Sequence, residues 1–162
     1  MTSKSNALIW LWLSAAVIVL DQLVKAIVRS ALQLHVPHPV IPGFLNWTLA
    51  FNTGAAFSFL DNQGGWQRWL FSALALIVST VLMRWLATIP RADWRNALPL
   101  ALVIGGALGN LIDRLRFGQV TDFIDVYYGA WSFPAFNIAD SAITVGAVLL
   151  IWFGLFGKKS PG

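Results

Sequence analysis

Cysteine and glutamate are absent from this chain of 162 residues, and histidine occurs only as His35 and His38. The first absence excludes a thiol nucleophile, a disulfide framework and thiolate metal ligands. The second confines carboxylate chemistry to seven aspartates, set against four lysines and seven arginines. Charge is scarce too: charged residues make up 11% of the chain, where a soluble domain carries about 25%. The net charge of +4 and a pI near 10.0 raise the question of nucleic acid. No basic run or aromatic-interleaved basic patch supports that partner. The cations sit singly or in pairs beside apolar blocks, where anionic lipid headgroups would meet them.

What the chain has in excess is apolar sequence, 57% of all residues, and it comes in long blocks. Four are long enough, or nearly so, to cross a hydrocarbon core of about 30 Å. They cover about residues 8–28, 69–86, 97–112 and 138–156. At this length one domain, 1–162, is expected. The first block also has features of a cleavable signal peptide, with Lys4 ahead of an apolar run from Ala7 to Leu20. Asp21-Gln22-Leu23-Val24-Lys25 follows instead of a small-residue cleavage site, so a retained span is expected. Four spans put both termini on one side. That side would carry Lys4, Arg84, Arg91, Arg95, Lys158 and Lys159, and the other Lys25, Arg29, Arg68, Arg114 and Arg116. This slight bias places the termini in the cytoplasm.

Two segments between the spans are expected outside the bilayer. In the first, Pro37, Pro39, Pro42 and Gly43 oppose helix. Leu45, Trp47, Leu49 and Phe51 then alternate with Asn46, Thr48 and Ala50, a strand pattern. Asn52-Thr53-Gly54 reads as a turn, with the alternation resuming at Phe57 and Phe59. The expectation is a small β-hairpin or sheet over about 40–61. Its aromatic face would rest on lipid or an acyl chain, or pack on the helices. The second segment, Asp113 to Asn137, ends in the aromatic run Trp131 to Phe136, a composition suited to the membrane interface. The fold class is therefore a mainly α membrane protein of four spans with a small extracytoplasmic β-element.

Polar groups near hydrocarbon invite functional readings. Asp21 and Lys25 are spaced for an ion pair on one helix face, either structural or part of a site. Ala101, Gly105 and Gly109 form a small-residue ridge suited to close helix packing. Asn110, Asp113 and Arg114 share a neighbouring face, as a hydrogen-bonding cluster or a helix-end salt bridge. Asn137, Asp140 and Thr144 share a face of the last span, where Asp140 alone could be an N-cap. Asp122 lies among apolar neighbours in Val120-Thr121-Asp122-Phe123-Ile124. Two carboxylates brought together near the surface would share one proton. Asp122 and Asp140 would then supply an acid and a base for hydrolysis without Ser, Cys, His or metal, although spacing alone does not make them meet. A proton-coupled transporter would use the same acids as a relay, and a non-enzymatic scaffold would use them as caps. Their position at span ends, away from the midplane, favours hydrolysis at the surface.

These residues carry a resemblance. The chain is similar over nearly its whole length to lipoprotein signal peptidase, also called signal peptidase II, an aspartic intramembrane protease of bacteria. Five motifs in order bear it: Asp21 to Lys25, Asn52-Thr53-Gly54-Ala55-Ala56-Phe57, Gly105 to Arg114, Val120-Thr121-Asp122-Phe123 and Phe136 to Ala142. No Gly-x-Gly-Asp motif of other intramembrane aspartyl proteases occurs. The resemblance implies an aspartic endopeptidase of the bacterial inner membrane, with its active site facing the periplasm. Its substrates would be prolipoproteins cleaved just before a diacylglyceryl-modified cysteine. It implies Asp122 and Asp140 as the catalytic dyad. Asp21, Lys25, Asn52, Gly54, Asn110, Asp113, Arg114 and Asn137 would form the supporting and substrate-binding shell. No metal or cofactor is implied. The expected partners are the lipid-modified substrate and membrane lipids, with the enzyme a monomer. Thr121 stands where the family often has an aliphatic residue, without touching a proposed role. Asp125 is the rival acid nearest to Asp122.

Overall fold

A computed structural model describes residues 6–54 and 65–156 of the chain. Four long helices dominate: α1 (Leu11–Ala31), α2 (Trp66–Thr88), α3 (Trp94–Phe117) and α4 (Ile138–Phe156). A 3-10 turn at Ala7–Trp10 leads into α1. All four are long and apolar enough to cross a membrane. α3 is the central one, with 56% of its apolar stretch buried inside the protein against 22%, 17% and 17% for the others. The outward faces of α1, α2 and α4 present large apolar side chains, among them Trp12, Leu23, Trp69, Ile77 and Ile151, as contact with lipid requires.

Small residues let α3 sit at the centre. A Cβ on Gly105 would stand 2.9 Å from the Ser14 carbonyl oxygen of α1, and one on Gly106 would clash with the Ala139 carbonyl of α4. Gly109 lies between Asp21 and Ala139. The ridge expected from sequence therefore faces α1, and Gly106 beside it faces α4. At its start α3 is capped by Asp93, whose Oδ1 accepts the Asn96 N–H at 3.3 Å. Gly118 ends it at φ +77°, a left-handed conformation that glycine adopts without strain. Both α2 and α3 run past the apolar blocks that announced them. The extra turn at the end of α3 carries Asp113, Arg114 and Arg116.

At the other pole of the bundle from the α2–α3 connection lies a four-stranded antiparallel sheet in the order β1-β2-β3-β4. Its strands are β1 (Pro37–Ile41), β2 (Leu45–Asn52), β3 (Val120–Tyr128) and β4 (Trp131–Ser132). This differs from the expected hairpin in three respects. A turn that was not expected lies at 42–44, between β1 and β2, where proline fits an edge strand that needs no inward N–H. The partner of β2 on its other side is β3, from a segment to which no strand was assigned. The pairing register shifts between Trp47 and Ala50, so the period-two pattern does not continue on one face. Trp47 is 40% exposed, whereas Leu49 is 5% exposed. Leu49 and Phe123 pack with Val28 at the end of α1, so the inner part of the sheet rests on the helices. Phe57 and Phe59 lie outside the described residues.

Candidate active site

Three chain segments converge where the sheet meets the bundle. β3 brings Asp122, which pairs in register with Ala50 of β2 and is 2% exposed. α4 brings Asp140 in its first turn, and α3 brings Asn110 from the middle of its buried face. Between the two aspartates sits Asn137, fully buried. Its Nδ2 donates to Asp122 Oδ1 at 2.7 Å, and its backbone N–H donates to Asp140 Oδ2 at 3.2 Å. Asn110 Nδ2 donates to Asp140 Oδ1 at 2.7 Å.

The local cause of this arrangement is a helix start. Asn137 Oδ1 accepts the Asp140 backbone N–H at 2.8 Å, while Asp140 reaches back to the Asn137 N–H. This is a reciprocal capping box. Asn137, not Asp140, is therefore the N-cap of α4. The cap holds Asp140 in the first turn, and the spare Asn137 amide fixes Asp122.

Asn52, at the end of β2, hydrogen-bonds Asp122 through its side chain. Its Oδ1 also accepts the Gly54 N–H at 2.8 Å, closing the expected turn. Gly54 has φ +86°, and a Cβ there would run into the Phe71 ring. Burial, first, and the neighbouring Asp140 charge, second, push the Asp122 carboxyl from 3.8 up to about 7. The hydrogen bonds from Asn52 and Asn137 and the charge of Lys25 act the other way.

Behind the aspartates lies a fully wired ionic cluster. Lys25 Nζ reaches Asp21 Oδ2 at 2.8 Å, Asp113 Oδ2 at 3.2 Å and Asn110 Oδ1 at 3.0 Å. All three donors of the ammonium are thus used. Asp21 Oδ1 accepts the Ala139 N–H at 3.0 Å, and Asp113 Oδ2 accepts the Thr121 N–H at 2.9 Å. The cluster ties α1 to α3, to the start of α4 and to β3. The Asp21–Lys25 pair expected from spacing is present, and it belongs to the framework of the site. Asp113 joins it, whereas Arg114 turns to the other side of α3.

There Arg114 lines an apolar cleft of about 320 Å³ between α2, α3 and α4, together with Asn110 and Asp140. Phe71, Leu74, Val78, Val103 and Ile143 supply its apolar walls. The guanidinium lies 5.3 Å from the centre of the Phe71 ring, and its Nε is buried without a hydrogen-bond partner. Asp125 takes no part. Three residues on from Asp122, it faces the opposite side of β3 and accepts from Asn46, Thr48 and Ser132.

Two contributors were not singled out from sequence. Gln22 Nε2 donates to Asp113 Oδ1 at 2.9 Å and to the Gly109 carbonyl at 3.2 Å. The available signal was a polar residue inside an apolar span. Thr121 is the second, and here the expectation of no role is corrected. It is fully buried, its N–H holds Asp113, its carbonyl accepts from Asn137, and its Oγ1 accepts from Arg29 Nε at 2.6 Å. An aliphatic side chain could make the backbone contacts but not the last.

A buried carboxyl beside a half-buried one on the wall of an apolar cleft can hold and move one proton next to an extended apolar ligand. Comparison with known proteins fits that chemistry. A family model described as signal peptidase (SPase) II matches residues 13–156. A lipoprotein signal peptidase of Xanthomonas campestris pv. campestris is 59% identical, over 99% of this chain and 98% of its own. One from Xylella fastidiosa is 56% identical, over 95% of this chain and 92% of its own. A solved bacterial membrane enzyme superposes with a TM-score of 0.82 at 32% identity, covering 98% of this chain and 99% of its own. A second gives 0.79 at 31%, covering 100% and 98%. On this sequence and structural similarity, the chain is a multi-pass bacterial membrane protein that belongs to the signal peptidase II family.

Proposed function

We infer that this chain is the aspartic endopeptidase that removes the signal peptide from diacylglyceryl-modified prolipoproteins, cutting just before the lipidated cysteine. The observation that carries the inference is the Asn137 bridge, which holds Asp122 beside Asp140, itself on the wall of an apolar cleft. We assign the proton to Asp122, whose carboxyl titrates near 7. The charge goes to Asp140, both of whose oxygens accept N–H donors. Asp140 takes a proton from water, and the resulting hydroxide oxygen bonds to the scissile carbonyl carbon. Asp122 gives its proton to the carbonyl oxygen, which forms a neutral tetrahedral diol. Collapse breaks the C–N bond. Asp140 returns its proton to the leaving cysteine amine, and a diol proton passes back to Asp122.

Of the donors considered for the substrate carbonyl, Asn110 and Asn137 are committed to carboxylates. Arg114, whose side chain lines the cleft, is the donor we assign. The apolar walls suit the hydrophobic signal segment, while the acyl chains of the substrate remain in lipid. All these groups come from one chain, which supports a monomer. We place the enzyme in the bacterial inner membrane with both termini cytoplasmic and the aspartates facing the periplasm. The transporter alternative has no support in the comparisons, since the matching family is one of peptidases.

Cleavage of a lipidated prolipoprotein by purified protein tests the assignment. Asp122→Asn and Asp140→Asn are each expected to lower turnover by at least about 1,000-fold while eluting as folded protein, and Asp125→Asn to stay active. Substantial turnover by either of the first two, or loss in the third, would overturn it. An unlipidated precursor is expected to be a poor substrate, and equal rates for the two forms would remove the lipid from recognition.

A further inference from the structure

A second cleft, of about 310 Å³, opens on the far side of α3 from the aspartates, between the ends of α1 and α3. It shares no lining residue with the first. Three cations line it, Lys25, Arg29 and Arg116, against a single acid, Asp113. Asp113 pairs with Lys25 and also attracts Arg29, so three cations share one acid. Among the described residues neither Arg29 nor Arg116 forms an ion pair. Both guanidinium groups lie against the same ring, Phe117, at 3.7 Å and 5.0 Å from its centre. They are close enough to repel each other. Arg29 spends its Nε on Thr121, and its Nη2 is buried with no partner among the described residues. Two like charges gathered on one ring, one with a donor that has no partner among the described residues, form a site suited to an anion.

The position of the cleft indicates where that anion comes from. Arg29 lies in the last turn of α1 and Arg116 in the last turn of α3, at the depth where lipid headgroups sit. From the cleft toward the middle of the bilayer, α1 presents Ile27, Leu23 and Val19, all more than half exposed. A soluble anion would use the charge alone, whereas a lipid would use the charge and this apolar stripe together. We propose that the cleft is a phospholipid site in which Arg29 and Arg116 hold a headgroup phosphodiester while the acyl chains lie along α1 at Ile27, Leu23 and Val19. Bound there, the lipid braces the α1–α3 contact from the side opposite the aspartates and supplies the charge that the paired arginines need.

Native mass spectrometry of the full chain, released from detergent after exchange with dioleoyl-phosphatidylglycerol, tests the site. The unaltered protein is expected to retain one molecule of this lipid. Arg116→Gln is expected to lower retention about tenfold, as loss of one charge-assisted contact to phosphate would. Arg116 is exposed and makes no hydrogen bond among the described residues, so this variant keeps the fold. The double variant Arg29→Gln with Arg116→Gln is expected to fall to background. Equal retention by the native protein and both variants would overturn the proposal. So would equal retention of dioleoylglycerol, which has the same chains without the phosphate. Thermal stabilisation by millimolar inorganic phosphate equal to that by the phospholipid would assign the site to a soluble anion, and would also overturn it.

Discussion

Asn137 shows how much one side chain can organise. Its carbonyl oxygen caps α4, its amide holds Asp122, and its backbone N–H holds Asp140. The two carboxyls are thereby fixed relative to each other before any substrate arrives, which is the preorganisation the proposed dyad needs. The environment that suits Asp122 to proton transfer also costs stability, and the sign can be worked out. Its carboxyl titrates near 3.8 in an unfolded chain and near 7 in the native protein. Between these values the unfolded chain has lost a proton that the native state keeps. The contribution to stability is therefore full below about 4, declines as pH rises toward 7 and stays low above it. Asp122→Asn cannot ionise and keeps an oxygen for Asn137. It is expected to melt a few degrees above the native protein at pH 8, with the difference vanishing near pH 4. A constant difference between those pH values, in melting curves recorded in one detergent, would rule out the raised carboxyl. Turnover by the native enzyme should fall on the alkaline side with a midpoint near 7, as the shared proton is lost.

Among the elements, α3 determines how closely the others approach, and glycine determines how closely α3 approaches them. Gly106 faces the Ala139 carbonyl and Ile143, one turn from Asp140 itself. Gly106→Ala would push α4 and its capped aspartate away from Asn110. It is expected to destabilise by roughly 1–3 kcal/mol and to lower turnover, whereas Gly154→Ala, with open space around it, should be silent in both. Equal melting temperatures for the two variants would mean that the helix contact yields freely. Such packing was legible in part. The four apolar blocks and the small-residue spacing on α3 pointed to the bundle and one of its contacts. The capping box was not legible, because Asn137 and Asp140 fit a shared helix face as well as a cap and its partner. β3 was hidden for a different reason. Val120 to Phe123 are all buried, so the in–out alternation that marks a strand is missing where it matters most. In β2 the alternation was legible, but the register shift keeps its apolar residues from sharing one face. Ring-locked prolines disguised β1 as a loop.

At the scale of the whole molecule, the sheet, both aspartates and the ionic cluster gather at one pole of the bundle, and the α2–α3 connection lies at the other. Six cations toward the termini against five toward the sheet is too even a division for charge to settle orientation. The orientation proposed above, on functional grounds, puts the sheet pole in the periplasm. The sequence offers a clean means of testing this, since the chain contains no cysteine and needs no background removed. Tyr128, 80% exposed at the end of β3, would mark the sheet pole, and Arg91, exposed in the α2–α3 connection, would mark the other. A membrane-impermeant maleimide added to intact spheroplasts is expected to label Tyr128→Cys and to spare Arg91→Cys until the membrane is broken. Both variants should still process lipidated precursor, because neither residue touches the dyad or its cleft. The reverse labelling pattern in active variants would invert the topology, and with it the side from which the substrate carbonyl meets Asp122 and Asp140.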